Sequence, residues 1–442
     1  MRIKAAAALL LACTLPAASG PAPRWDAPGA LNPILPGYFA DPSIVHDGNR
    51  WYIFATIDPW GGEKLGLWQS DDGRNWTFST PDWPTKTAAA SPTSSKAMVW
   101  APSVVKAHGA WWMFVSVGSE VWVGTAPSPG GPWREANGGK PLIPAGMFPD
   151  YHMIDAEAFV DDDGQAYLAW GSGINWKNGH CFVVKLKPDM ISFDGEPRDV
   201  TPANYFEAPF LFKANGRYFL TYSDGNTTTD TYKVRYAVGD SPMGPFTEAA
   251  NSPILTTNAD RTVISPGHHA IFRSQGRPYI LYHRQALPFP RPGKDVLRQT
   301  VVDELVVKGD RIERVTATHG GPVAGFARQR TQGLKLRIDG AGAAAADDNY
   351  ATLWRPAAGD PATIVADLGT VRRVTRSRLR PEFADRDYSF TVEASDDGQN
   401  WKPIARQTGA HGSPLIVDHP TSARYVRLSF TGPAALWEWA ID

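Results

Sequence analysis

Three carboxylates, Asp41, Asp155 and Glu207, each head a copy of one local pattern: an apolar strand, a Gly-centred turn, then an aromatic-rich strand. The copies read "DPSIVHDGNRWYIFAT" from Asp41, "DAEAFVDDDGQAYLAWGS" from Asp155 and "EAPFLFKANGRYFLTYS" from Glu207. Two further copies, "APSVVKAHGAWWMFVS" from Ala101 and "GHHAIFRSQGRPYILYHR" from Gly267, put the Trp100–Ala101 pair and His268 at the same place, within one residue. A single acid before a strand ordinarily caps a turn, the role expected of Asp47 and Asp163. Three acids at one repeat position ask for more. Gathered in one buried site they repel one another, so at least one must stay protonated near neutral pH. An ionised and a protonated carboxyl facing each other are what general acid–base hydrolysis of a glycosidic bond requires.

The elements that would gather them follow from the repeat. The turns DGN, HGA, DGQ, NGR and QGR supply the positive φ that tight hairpins need. Between copies lie further strands with their own turns, "LGLWQSDDGRNWTF", "VWVGTAPSPGGPWREA" and "KVRYAVGDSPMGPFTEA". Each repeat of roughly 50 to 60 residues thus holds about four strands, the content of one propeller blade. Convincing amphipathic helices are missing. The expected fold is all-β: a five-bladed β-propeller over residues 21–326, followed by a smaller β-sandwich over 327–442, where the texture turns Ala/Gly-rich and then alternates again in "ATIVADLG", "YSFTVEASDDGQNW" and "ARYVRLSF". In a propeller the innermost strands line the central channel, so the heads of the five repeats meet at one mouth. Phe39, Trp100, Trp122 and Trp170 are candidate walls of a sugar site there, although aromatics also fill β-rich cores.

Formal net charge is −1, from 44 basic and 45 acidic residues, so no basic excess exists to hold a nucleic-acid backbone. "MRIKAAAALLLACTLPAASG" reads as a secretory signal peptide over residues 1–20, with cleavage after Ser19 or Gly20 and a lesser reading as a lipoprotein site at Cys13. No later stretch is long and apolar enough for a membrane span. The expected location is secreted or periplasmic. Removal of the leader leaves Cys181 alone, which excludes a disulfide framework and makes it a small buried hydrophobe.

"ADPSI", "WAPSV", "IDAEAFVDDDG", "EAPFLF" and "SPGHHAIF" closely resemble, in order, the signatures of glycoside hydrolase family 43, a family of five-bladed propellers. That resemblance implies hydrolysis with inversion, Asp41 as general base, Glu207 as general acid and Asp155 as the acid that orients and tunes its partner. It also implies Arg298 in "VLRQTVV" as a substrate contact and His268 beside an axial metal, commonly calcium, with no cofactor needed for the chemistry. Inversion needs the two carboxyls roughly 6.5–9.5 Å apart, to leave room for water. An ionised Asp155 is expected to raise the pKa of Glu207. The C-terminal part, in "DDNYATLWRPA", "IVADLGTVRRV" and "FTVEASDDGQNW", resembles discoidin-like modules (coagulation factor 5/8 type C), which implies a separable carbohydrate-binding unit or a structural companion.

The function expected is hydrolysis of oligo- or polysaccharide side chains or ends, as an α-L-arabinofuranosidase or a β-xylosidase. A galactose-directed exo-hydrolase of the same family is the alternative. A retaining fructosidase relative ranks lower, because "ADPSI" lacks the Asn-Asp-Pro-Asn-Gly type of motif. From another class, a non-catalytic carbohydrate-binding propeller predicts a missing carboxylate, and none is missing.

Overall fold

The computed structural model describes residues 24–290, 296–322, 326 and 330–442; the leader, Cys13 and parts of the 287–296 loop and the 323–329 linker lie outside them. Five antiparallel sheets follow one another along the chain. Blade I holds Phe39–Asp47, Arg50–Ile57, Gly66–Ser70 and Thr77–Ser79, and blade II holds Val99–Ala107, Ala110–Val117, Val121–Ala126 and Arg134–Glu135. Blade III holds Glu157–Val160, Ala166–Trp170, Phe182–Lys185 and Arg198–Asp199, and blade IV holds Glu207–Ala214, Arg217–Asp224, Lys233–Gly239 and Thr247–Glu248. Blade V has three strands, Gly267–Ser274, Arg277–Gln285 and Arg298–Glu304. The inner strand of each blade packs on that of the next, and the inner strands of blades I and V meet to close the ring.

Blade V borrows its missing edge from the chain's beginning. The Ile34 N–H donates to Thr300 O at 3.1 Å. Asn32, fully buried, accepts from Val302 N at 3.1 Å and donates to Val302 O at 2.8 Å and Thr318 O at 3.0 Å. Residues 30–36 therefore cover an edge that would otherwise leave strand N–H and C=O groups unpaired.

The inner hairpins turn as their sequences require. His108–Gly109, Asn215–Gly216 and Gln275–Gly276 each put two consecutive residues at positive φ, the two-residue turn that matches the twist of a hairpin. At the other end of each inner strand lies a second repeated device. Asp41, Ala101, Asp155, Ala208 and His268 all adopt positive φ, between 39° and 59°. In blades I, II, IV and V the register slips at this point. Pro follows in three of the five, where the bulge removes the need for a ladder N–H.

The C-terminal sheet has the strand order Lys402–Ala410, Tyr388–Ser395, Leu415–Phe430, Thr363–Pro381, Leu436–Ile441, all antiparallel. Its two longest strands break register after Asp367 and after Val374. Each half then pairs with different neighbours, so Ile364, Ala366, Val392 and Phe390 of one layer face Leu379, Val417, Leu436 and Trp439 of the other across one core. The result is the expected β-sandwich. Among the described residues the helical segment is a single 3-10 turn, Gly340–Ala346, and no helix is long and apolar enough to cross a membrane.

This domain does not hang free. Tyr38, Ala286 and Leu297 of the propeller share a buried cluster with Tyr350 and Trp437. Trp437 meets Tyr38 edge-on at 5.3 Å and donates its Nε1 proton to Glu382 O at 3.1 Å, while Tyr38 Oη donates to Glu382 Oε1 at 3.1 Å. Gln299 Nε2 donates to Tyr350 O at 2.8 Å in a buried setting. A separable unit would not have a shared core of this kind. Trp437→Ala should therefore destabilise the whole chain by about 3–5 kcal/mol, as truncation of a buried Trp does. Thermal unfolding of the variant measures this, and an unchanged midpoint would mean that the two domains fold independently.

Candidate active site

The five left-handed residues stand in a ring at one mouth of the channel, tied blade to blade. Thr56 Oγ1 accepts from the Ala101 N–H at 2.8 Å, Ser116 Oγ from Asp155 at 2.9 Å, Ser223 Oγ from His268 at 3.0 Å and His283 Nδ1 from Asp41 at 3.3 Å. Above this ring opens a cavity of about 520 Å³, in the size range of small-ligand sites, with Asp41, Asp155, Glu207, His268, Trp100 and Arg298 in its walls.

Asp41 is 4% exposed and fully engaged. Thr56 Oγ1 donates to its Oδ2 at 2.7 Å, and Arg298 donates to its Oδ1 at 3.0 Å. Burial would push its pKa up, but Arg298, then His268 and His283, outweigh burial and hold the carboxyl well below the usual carboxylate range. Both imidazoles are themselves pulled down to about 4, by burial first, and are neutral near pH 7. Arg298 is thus the cation that keeps Asp41 ionised. The guanidinium is fixed from behind by Asp58, through Nε to Oδ2 at 3.0 Å and a terminal nitrogen to Oδ1 at 2.7 Å, and lies 5.2 Å from the Trp60 ring.

Glu207 behaves in the opposite way. Burial raises its carboxyl to about 7 against two hydroxyl donors, Tyr232 Oη at 2.6 Å and Ser172 Oγ at 2.9 Å, with Asp41 also pushing it up and Arg298 pulling it down. Asp155 is pushed well above the usual range by burial, then by Glu207 and Asp41. This corrects the expectation of a standing Asp155 anion that lifts Glu207. Asp155 and Glu207 together resist ionisation, and their protons belong to the pair. His268 links the two sides, with Nδ1 3.3 Å from Asp41 Oδ1 and 3.6 Å from Asp155 Oδ2.

Three expected wall residues lie elsewhere. Phe39, 2% exposed, packs edge-on against Trp68 at 5.2 Å inside blade I. Trp122 is fully buried in blade II, donating Nε1 to Glu120 Oε2 at 3.1 Å. Trp170 is buried among Phe182 and Phe193 of blade III. In their places the cavity is lined by Trp60 and Trp176 from connecting loops, and by Met98, His152 and Phe206. A calcium beside His268 would draw largely on oxygens other than these carboxylates. Calcium takes six to eight oxygen ligands, whereas here Asp41 is committed to Thr56 and Arg298, and among the described residues no group of three or more His, Cys, Asp or Glu is arranged around a metal position. Cys181 is buried and unpaired, as a small core residue.

Comparisons with known proteins agree with this geometry. A β-D-galactofuranosidase of Aspergillus niger is 32% identical over 270 residues, which span 58% of this chain and 76% of that protein. An arabinoxylan arabinofuranohydrolase of Paenibacillus polymyxa is 30% identical over 332 residues, and the chain covers 52% of its length. A solved structure titled glycoside hydrolase superposes with a TM-score of 0.77 at 29% identity, over 95% of this chain and all of that one. The arabinoxylan arabinofuranohydrolase of Bacillus subtilis, solved with cellotetraose, shares the fold at a TM-score of 0.57 and 22% identity, over 94% of this chain and 98% of that one. The F5/8 type C domain profile matches residues 331–441, and that of glycosyl hydrolases family 43 matches residues 30–311. With the whole propeller accounted for in this way, the chain belongs to glycosyl hydrolases family 43 and is a glycoside hydrolase.

Proposed function

We propose that this is an exported, inverting hydrolase that releases α-L-arabinofuranosyl or β-xylosyl groups from side chains or ends of plant-type polysaccharides. The observation that carries the reading is the opposed state of two carboxyls in one cavity, Asp41 held ionised and Glu207 held protonated up to about 7. Asp41 then takes a proton from water as the water attacks the anomeric carbon. Glu207 gives its proton to the departing glycosidic oxygen from the opposite side. Asp155 adds a hydrogen-bonding carboxyl to the wall of the sugar pocket. Tyr232 and Ser172 fix the rotamer of Glu207. The leader supports export.

A galactofuranoside-directed activity is the second reading, favoured by the Aspergillus relative. β-D-Galactofuranose and α-L-arabinofuranose share their ring configuration and differ by one exocyclic carbon, so one pocket can be close to both. A panel of nitrophenyl glycosides separates the readings. The expected order is α-L-arabinofuranoside above β-D-xyloside and β-D-galactofuranoside, and turnover of none of the three would overturn the proposal.

Three variants test the roles. Glu207→Gln should lower turnover of natural glycosides by about 10²–10⁴-fold, the usual worth of a general acid, and cost far less on an aryl glycoside with a very good leaving group. Equal losses on both would remove Glu207 from the acid role. Arg298→Met deprives Asp41 of its cation, so burial prevails and the Asp41 pKa rises. A base must be ionised to act, so the acidic limb of the kcat/KM–pH profile should move to higher pH, and an unmoved limb would show that Arg298 does not hold the base. Asp155→Asn removes a carboxyl that burial, like that of Glu207, holds above the usual range. The rate should fall while the upper limb stays near 7, whereas a limb displaced to lower pH would mean that Asp155 carries charge after all.

A further inference from the structure

The rim of the cavity carries an aromatic device that the acid–base chemistry does not use. After blade III's second strand the chain runs through "GSGINWKNGH", Gly171 to His180, where Asn175, Trp176 and Asn178 all take positive φ, at 53°, 62° and 54°. Asparagine tolerates that region, but a bulky residue there is an outlier that surrounding structure must enforce. Two glycines enforce it. A Cβ at Gly173 would lie 1.9 Å from Lys177 O, and one at Gly179 would lie 2.1 Å from Phe206 O. The hairpin is thus closed on itself and pressed onto the backbone of the residue before Glu207.

What this backbone presents is Trp176, 38% exposed, beside Met98 at the same exposure and Ile174 at 46%. Its ring stacks on Phe206 at 5.5 Å and 27°, and lies 6.5 Å from the Trp60 ring, tilted by 56° to it. Trp60 belongs to the Arg298–Asp41 side of the cavity, the side of the proposed base. Trp176 belongs to the Glu207 side, where the leaving oxygen must be. A large ring held at the cavity wall and still 38% exposed is not filling a core.

Resting on the hydrolase reading above, we propose that Trp176 is the platform for the sugar on the leaving side, and that it selects a pyranose whose axial C–H face lies flat on the indole. A β-1,4-linked xylopyranose chain has such faces on every residue. Met98, in the same cavity wall, adds exposed apolar surface near it. The equatorial hydroxyls of the leaving chain lie at the ring edges, away from the indole, so branching there is tolerated.

The test compares two substrates that deliver the same glycosyl group, an arabinosylated xylo-oligosaccharide and α-L-arabinofuranosyl fluoride, whose leaving group is a single atom. Trp176→Ala should lower kcat/KM on the oligosaccharide about tenfold more than on the fluoride, mostly through KM, and Trp176→Phe should recover most of it. Unaltered thermal unfolding shows that the hairpin change has not reached the blades. Equal losses on the two substrates would make Trp176 a wall of the released sugar's pocket or a support of Glu207, and overturn the inference. No loss on either would overturn it as well. Wild-type protein that cleaves the fluoride and ignores the oligosaccharide would sink the platform alone, whereas wild-type protein that cleaves neither would sink the hydrolytic reading beneath it.

Discussion

The site rests on one repeated constraint, the capture of a left-handed residue's N–H by the neighbouring blade. At positive φ the inner strand leaves the sheet ladder, and its N–H would be an unpaired buried donor, at a cost of about 1–3 kcal/mol. Thr56, Ser116, Ser223 and His283 each lie opposite the residue before a bulge in their own blade, and each accepts from the bulge residue of the next. The same contacts therefore close the ring and aim its side chains. Asp41, Asp155 and His268 project from the left-handed position itself, while Glu207 stands one residue earlier and reaches in with a longer side chain. Blade III lacks an equivalent hydroxyl, and its Ser172 reaches instead to the Glu207 carboxyl at 2.9 Å.

Burial acts on all three acids in the same direction, so their differences come from partners. One guanidinium decides the outcome. Arg298 touches Asp41 and is locked to Asp58, so its charge is spent on the base and on its own anchor. Removing either partner from such a buried pair would leave an uncompensated charge, which is why the arrangement fixes roles more firmly than surface ion pairs could. Glu207 has only hydroxyl donors. Those lower its pKa too little to offset burial, and the carboxyl remains an acid.

Much of this was legible in the sequence, for identifiable reasons. A Gly-centred turn followed by aromatic alternation, repeated with Asp-Pro or Ala-Pro at the head, marks both the inner hairpin and its bulge, and so the positions of Asp41, Asp155, Glu207 and His268. Of the four aromatic walls expected, Trp100 alone was placed correctly. Phe39, Trp122 and Trp170 follow strand periodicity, and strand periodicity is what sends a side chain between blades. Trp100 faces the cavity because it occupies the same pre-bulge position as Glu207, a correspondence the repeat already gave to within one residue. Trp60 and Trp176 lie in loops, where no period predicts direction, and the nearest signal for Trp176 was the crowding of Gly and Asn around it. That Asp155 falls on the side of Glu207 and not of Asp41 was also out of reach, because it depends on which carboxyl Arg298 contacts.

The C-terminal domain enters the same argument through the seam of the ring. Blades I and V meet where the chain's first and last propeller elements must be held together, here by Asn32 and its neighbours along Arg298–Glu304. The sandwich grips that seam from outside. Tyr38, three residues before Asp41, is bound to Glu382 and packed on Trp437, and Gln299, the neighbour of Arg298, is bound to Tyr350. Base and cation are thus anchored on two strands that a single second domain braces. A carbohydrate-binding role for its loops would be an addition to this bracing, since the contacts that reach the active site lie on the face turned toward the propeller.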